Sequence, residues 1–480
     1  MQIIKWLLVL ALFAPLLYFA FREKKWYLYL ACGLIGVLPD EFAIEVSSKL
    51  PLLTGSRVLV LILLVFWFIK IIKTRKLQFP ISIAVYLGLN IVISLINLRF
   101  GMSGEIKRVA IFVLERFLLI SSLVALIDSR EELEKCLDAM LLGCAALCVM
   151  GFCQTILKFD IASVLDLVVA RVRDTITPRM GMTRAFGTSN AISFGCYCAF
   201  MSVLAYYRLE KTGKHRYSLL LSLITVALIC TLSRSAWLCF AFVVFCLMVM
   251  RPLRFFKRIW FSACVTLAVC LSLCFIVPTF YPATANTTRS CANTVLALVD
   301  IKIPEVGMFV EPTEPSRPED ETIEFGLNQH TAAESRLVEW SSVTYMMQEG
   351  EALFGYGYNA FVRGKLHYLY PQFGFWTVAE TLDVGLLAIV ADSGIVGLAI
   401  YSLLMLMLCY LSLRRMSRLG TFNFFKCVSI MLPMYLLINF MAALNGPIWL
   451  FLGLVYASLT LDKKGIKDDG TPAPYNKWVF

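Results

Sequence analysis

Apolar runs long enough to cross about 30 Å of hydrocarbon recur along almost the whole chain. They fall at roughly 3–20, 27–43, 57–72, 80–97, 108–127, 137–155, 190–207, 217–232, 236–250, 259–279, 384–412, 425–441 and 446–461. The fold class this predicts is an all-α integral membrane protein of about 12–13 transmembrane helices, since a helix satisfies its own backbone hydrogen bonds in lipid. The first run has no small-residue cleavage site and is followed by Arg22-Glu23-Lys24-Lys25, so a retained span is expected rather than a removed leader. One long polar stretch, 281–380, interrupts the pattern. The expected organisation is therefore N-terminal helices (1–280), a large external loop (281–380), C-terminal helices (381–462) and a tail (463–480).

Charge orients the spans. Dense basic clusters close alternate runs: Arg22, Lys24 and Lys25; Lys70, Lys73, Arg75 and Lys76; Arg208, Lys211, Lys214 and Arg216; Arg251, Arg254, Lys257 and Arg258; Arg414, Arg415 and Arg418; Lys463, Lys464 and Lys467. Short loops of this kind stay on the cytoplasmic side. The 156–189 segment, the Ser233–Trp237 turn and the 281–380 loop are then external. The net charge of +11 is thereby mostly topological. Nucleic-acid binding would need a continuous basic face on a soluble element, and none is visible.

Composition agrees, at 59% hydrophobic against 16% charged residues. Cysteines lie almost entirely within or at the ends of spans, where Cys behaves as a small hydrophobe. Only Cys291 lies well inside the large loop, so no disulfide is expected within it. His215, His330 and His367 share no ligand spacing, and no phosphate loop or dinucleotide fingerprint occurs.

Candidate chemistry gathers on the external side. Arg234 sits mid-turn between two apolar runs, flanked by Ser233 and Ser235. An ionisable group at that depth normally faces a protein interior or a wet cavity, the alternative being an arginine that snorkels to the interface. Arg184-Ala-Phe-Gly-Thr-Ser-Asn190 leads directly into the next span, with Gly187 between guanidinium and amide. The large loop divides into a Pro- and Glu-rich first part and a second part in which His330 to Gln348 can form a helix. On it Arg336 and Trp340 share a face, and Glu339 points elsewhere. Leu353-Phe-Gly-Tyr-Gly-Tyr-Asn359 ends that helix in a glycine turn, and an aromatic stretch to Trp376 is suited to covering sugar or lipid. Glu380 and Asp383 then share a face at the membrane surface, and Asp392-Ser-Gly394-Ile-Val-Gly397 reads as a kink or a close helix packing.

Taken in order, these pieces resemble the bacterial O-antigen ligases and polymerases, multispanning enzymes of surface polysaccharide assembly. The resemblance runs from about Met182 to Leu398 and rests on Arg184 to Asn190, Thr231-Leu-Ser-Arg-Ser-Ala-Trp237, Arg336 with Trp340, Phe354-Gly-Tyr-Gly357, and Asp383 followed by Asp392 to Gly397. The first 150 residues add only apolar segments. The resemblance implies a GT-C-like glycosyltransferase architecture in the bacterial inner membrane, with its active site on the periplasmic face. It implies that Arg234 and Arg336, with Arg184 as a third donor, hold the diphosphate of an undecaprenyl-diphosphate-linked glycan. Asn190, Ser233, Trp340 and Tyr356 would line the same site.

In the ligases a His-Asn pair opens the span after the large loop. Here Asp383-Val384 stands there, which favours the polymerase branch and makes Asp383 the candidate base, with Glu380 in reserve. The reaction expected is metal-independent, inverting polymerisation of lipid-linked repeat units, without a cofactor. Donor and acceptor glycans, membrane lipids and a chain-length regulator would be the partners. Ligation to the lipid-A core is the first alternative, and transport or flipping of a lipid-linked glycan the second.

Overall fold

The computed structural model describes residues 25–38, 43–44, 51–156, 185–187, 191–250, 252–272, 332–370, 375–379, 382, 384–416, 423–441 and 447–463. The first run, Arg184, Asn190, Glu380, Asp383 and the first half of the large loop lie outside the described residues.

The chain is multi-pass and mostly helical. Its helices are α1 (Trp26–Leu34), α2 (Gly55–Thr74), α3 (Ile81–Ile96), α4 (Met102–Ile111), α5 (Leu119–Leu126), α6 (Arg130–Ile156), α7 (Ala191–Thr212), α8 (His215–Cys230), α9 (Arg234–Met250), α10 (Pro252–Leu271), α11 (Ala332–Gln348), α12 (Gly385–Met416), α13 (Phe424–Met441) and α14 (Pro447–Lys463). A π-helical turn, Phe112–Leu118, joins α4 to α5 into one span. Among the described residues, six helical segments are long and apolar enough to cross a membrane, and α8, α9 and most of α13 are shorter apolar helices. Other expected runs lie partly or wholly outside the described residues: the run at 259–279, for example, is described only through α10, whose first turns carry Arg254, Lys257 and Arg258.

α7 is the central column. It is buried on nearly every side, as a helix without a polar face should be, and Phe200 meets Phe451 of α14 edge-on at 5.0 Å. Around it pack α6, α8, α9 and α13.

The basic clusters converge on one end of this bundle, around the start of α6. Lys25 pairs with Asp128 (3.0 Å) and Glu132 (2.7 Å), and Lys70 with Asp128 (2.6 Å). Arg208 binds Glu134 and Asp138, Lys211 binds Glu134, Arg254 reaches Glu210 at 3.7 Å, and Arg130 and Arg415 share Asp462.

The fold departs from a purely α architecture in two small antiparallel ribbons. β1 (Ala43–Ile44) pairs with β2 (Leu53–Thr54), and β3 (His367–Tyr370) with β4 (Phe375–Val378). The second ribbon follows from alternation: Tyr368 is buried between half-buried His367 and Leu369, a period of two in an aromatic-rich stretch.

Candidate functional site

The opposite end of the bundle carries the turns at 185–187 and 230–234. α8 stops at Cys230, and the chain reverses through Leu232, which holds a left-handed φ of 51°. Ser233 caps α9: its buried hydroxyl accepts from the Ala236 N–H at 3.4 Å. Trp237 pins the turn by donating its indole N–H to the Leu228 carbonyl at 3.2 Å. Arg234 is thereby fixed as the first residue of α9 and is exposed, with no hydrogen bond or ion pair among the described residues. A cation there faces the positive end of the helix dipole, an arrangement that favours a bound anion.

The piece that follows Arg184 is strapped to this turn. Ala185 donates its N–H to the Cys230 carbonyl at 3.0 Å. The buried side chain of Gln154, on α6, accepts from the Phe186 and Gly187 N–H groups (3.1 and 2.9 Å) and donates to the Gly187 carbonyl (2.9 Å). Two motifs read separately in the sequence, at 185–187 and 231–234, are therefore adjacent.

The other two motifs form one device. α12 breaks at Gly394 (φ 68°, ψ −173°), and the turn after α11 plugs the break with its own backbone. Tyr356 N–H caps the Ala391 carbonyl at 2.8 Å; Ile395 and Val396, which start the next helical stretch, donate to the Ala352 and Leu353 carbonyls at 2.9 and 3.1 Å. Broken helix ends must find such partners when water is excluded. The approach is so close that a Cβ on Gly355 would lie 2.6–2.7 Å from the Ala391 oxygen and the Ser393 and Gly394 nitrogens. Asp392 completes the joint by accepting from the Ala360 N–H at 3.0 Å.

Residues of α4 and the turn before it hold this device from the other side. The Asp392 carbonyl accepts from Arg108 Nη1 at 3.0 Å and Asn97 Nδ2 at 3.3 Å, and Arg108 Nη2 donates to Ser393 Oγ. Asn97 also donates to the Phe354 carbonyl at 2.8 Å. Glu105, buried beside Arg108, accepts from the Tyr358 N–H at 2.7 Å. Sequence reasoning passed over Asn97, Glu105, Arg108 and Gln154. The available signal was polar or charged residues inside or beside predicted spans, which are costly unless partnered.

α11 carries Arg336, whose side chain lies outside the described residues. One turn on, Glu339 is buried and its Oε2 accepts from the Val384 N–H at 3.1 Å, at the start of α12. The helix that bears Arg336 is thus tied to the residue next to Asp383. Trp340 is half-buried and packs on the small apolar core formed by α11, the glycine turn and the start of α12. Tyr356 lies in that core, with its ring against Phe100 and its hydroxyl buried; burial pushes its pKa up to about 12. Tyr345 stacks on His367 at 4.4 Å and meets Trp376 at 5.2 Å. Among the described residues no group of three or more His, Cys, Asp and Glu side chains could hold a metal ion.

Fold and site together define a multi-pass helical membrane protein with an ordered unit plugged into a broken span. Residues 219–402 match the O-Antigen ligase family. The match takes in the Arg234 turn, α11, the glycine turn and the break at Gly394, and covers less than half of the chain. No curated protein matches the sequence.

Proposed function

We propose that the protein transfers a glycan from a polyprenyl diphosphate carrier to a hydroxyl of a second, membrane-bound glycan. The observation that carries this reading is Arg234: an exposed arginine without a partner among the described residues, at a helix start, within the stretch similar to O-antigen ligases. A departing diphosphate needs fixed positive charge where its own charge grows, and the planar guanidinium fork supplies it. Arg336 and Arg184 are the further donors. The acceptor oxygen attacks the anomeric carbon, the bond from that carbon to the diphosphate oxygen breaks, and the hydroxyl proton passes to Asp383, with Glu380 in reserve. A single displacement inverts the anomeric centre. Asn190 and Trp340 complete the site, which faces the periplasm in a GT-C-like helical scaffold. Ser233, whose buried hydroxyl caps α9, and Tyr356, whose ring is buried in the small core, support it from behind.

The family match favours ligation, with a lipid-A core sugar as acceptor. Asp383-Val384, standing where the ligases carry their His-Asn pair, favours polymerisation, with another lipid-linked repeat unit as acceptor. Offering both acceptors to the purified protein with one lipid-linked donor separates them. A single shifted band on lipid-A core means ligation and a ladder without core means polymerisation, while no product with either overturns the proposal.

A further inference from the structure

At the basic end of the bundle, away from the site above, a cavity of about 270 Å³ opens between the end of α2, the link to α3 and the end of α5. Its walls include Trp67, Lys70, Thr74, Lys76, Gln78 and Asp128. Asp128 is already neutralised: Lys70 and Lys25 both bind it, at 2.6 and 3.0 Å. Lys73, Arg75 and Lys76 are exposed and have no carboxylate within ion-pairing distance among the described residues, so the rim carries excess positive charge. Two wall residues have unmet hydrogen-bonding needs. Trp67 is 5% exposed, and among the described residues its indole N–H finds no acceptor; Gln78 Oε1 is buried and finds no donor among them. Buried polar atoms are rarely left so. Beside the cavity Phe68, Ile72 and Leu77 are exposed, at 61%, 70% and 61%.

This combination fits one chemistry. A phosphate answers the cations and the indole N–H, a hydroxyl answers the Gln78 oxygen, and acyl chains cover the three apolar side chains. An ethanolamine or choline group would bring a cation against Lys70 and Lys76. Basic pockets between spanning helices commonly hold anionic lipid headgroups. We propose that this cavity is a headgroup site for an anionic, hydroxyl-bearing phospholipid of the phosphatidylglycerol type.

The test uses the full-length protein in uncharged detergent, with thermal unfolding and native mass spectrometry as readouts. Phosphatidylglycerol, phosphatidic acid, phosphatidylcholine and inorganic phosphate are titrated into wild type, Lys76→Gln and Trp67→Phe. Lys76 is exposed, so its variant retains the fold, and the Trp67 variant keeps the ring while removing the N–H. The expected result is saturable stabilisation by phosphatidylglycerol, weakened about tenfold in each variant, the value of one charge-assisted hydrogen bond. Equal stabilisation by phosphatidylcholine would overturn the anionic assignment, and equal stabilisation by phosphatidic acid the hydroxyl assignment. Inorganic phosphate acting as well as the lipid would make this a phosphate site and overturn the lipid. An unchanged lipid response in both variants would remove the site from this cavity.

Discussion

Substituting Gly355 by alanine probes the joint between the glycine turn after α11 and the broken span. Gly355 has φ 74°, where an L-residue costs roughly 1–2 kcal/mol. Its new Cβ would meet three backbone atoms at 2.6–2.7 Å, none of which can rotate away. Backbone displacement of that kind costs about 1–3 kcal/mol, for a total near 3. Releasing the plug instead would break three backbone hydrogen bonds at about 1 kcal/mol each, a similar sum, so the substituted protein should open the joint often. Gly350→Ala is the control, since Gly350 has φ 76° and nothing within 4 Å of a Cβ. It should cost only the conformational term. The difference of about 2 kcal/mol corresponds to about thirtyfold faster exchange at the Tyr356, Ile395 and Val396 amides by hydrogen–deuterium exchange. Equal protection in the two variants would refute the argument that the glycine turn and the break at Gly394 interlock.

Three further outcomes are expected. Arg234→Gln should lower transfer about 10²–10³-fold with unfolding changed by less than about 0.5 kcal/mol, because an exposed side chain without partners among the described residues holds none of them together. Glu339→Ala should cost about 1 kcal/mol at the start of α12, read as a five- to tenfold loss in kcat, whereas Glu339→Gln keeps an acceptor for the Val384 N–H and most of the activity. Thermal unfolding against pH should show two shallow edges, of which Asp128→Asn removes the acid one and leaves most of the alkaline one, because Glu132 still pairs with Lys25. Burial raises the Asp128 pKa, but the Lys70 and Lys25 hydrogen bonds outweigh it and hold the carboxyl below its ordinary 3.8, so that stability is lost as pH falls below that value. Burial lowers the Lys25 pKa, but Glu132 and Asp128 outweigh it and hold the amine above 10.5, so that its share is lost as pH rises past that value.

Much of this architecture is legible in sequence because hydrophobicity is a local signal. Alternating basic clusters announced a common end, and the ion pairs around the start of α6 bring them there. The glycine turn and the Asp392–Gly397 segment each read as backbone peculiarities. That they fill one another depends on a contact across nearly forty residues, which no local pattern encodes. Arg108 and Ser393 stand 285 residues apart, and Gln154 and Gly187 belong to separate elements. Within apolar runs such side chains look like exceptions to a span, and only their partners turn them into supports. Tyr356 illustrates the converse. An aromatic between two glycines resembled a contact residue, and its ring is buried in the small core beneath α11.

The most direct measurement is acceptor-dependent release of polyprenyl diphosphate from a lipid-linked glycan, followed for wild type, Arg234→Gln and Asp383→Asn in nanodiscs. The account predicts release in wild type only when an acceptor hydroxyl is present, with both variants reduced while their thermal unfolding matches wild type. Intact donor after incubation of folded wild-type protein with either acceptor, or full release in Arg234→Gln, would contradict it.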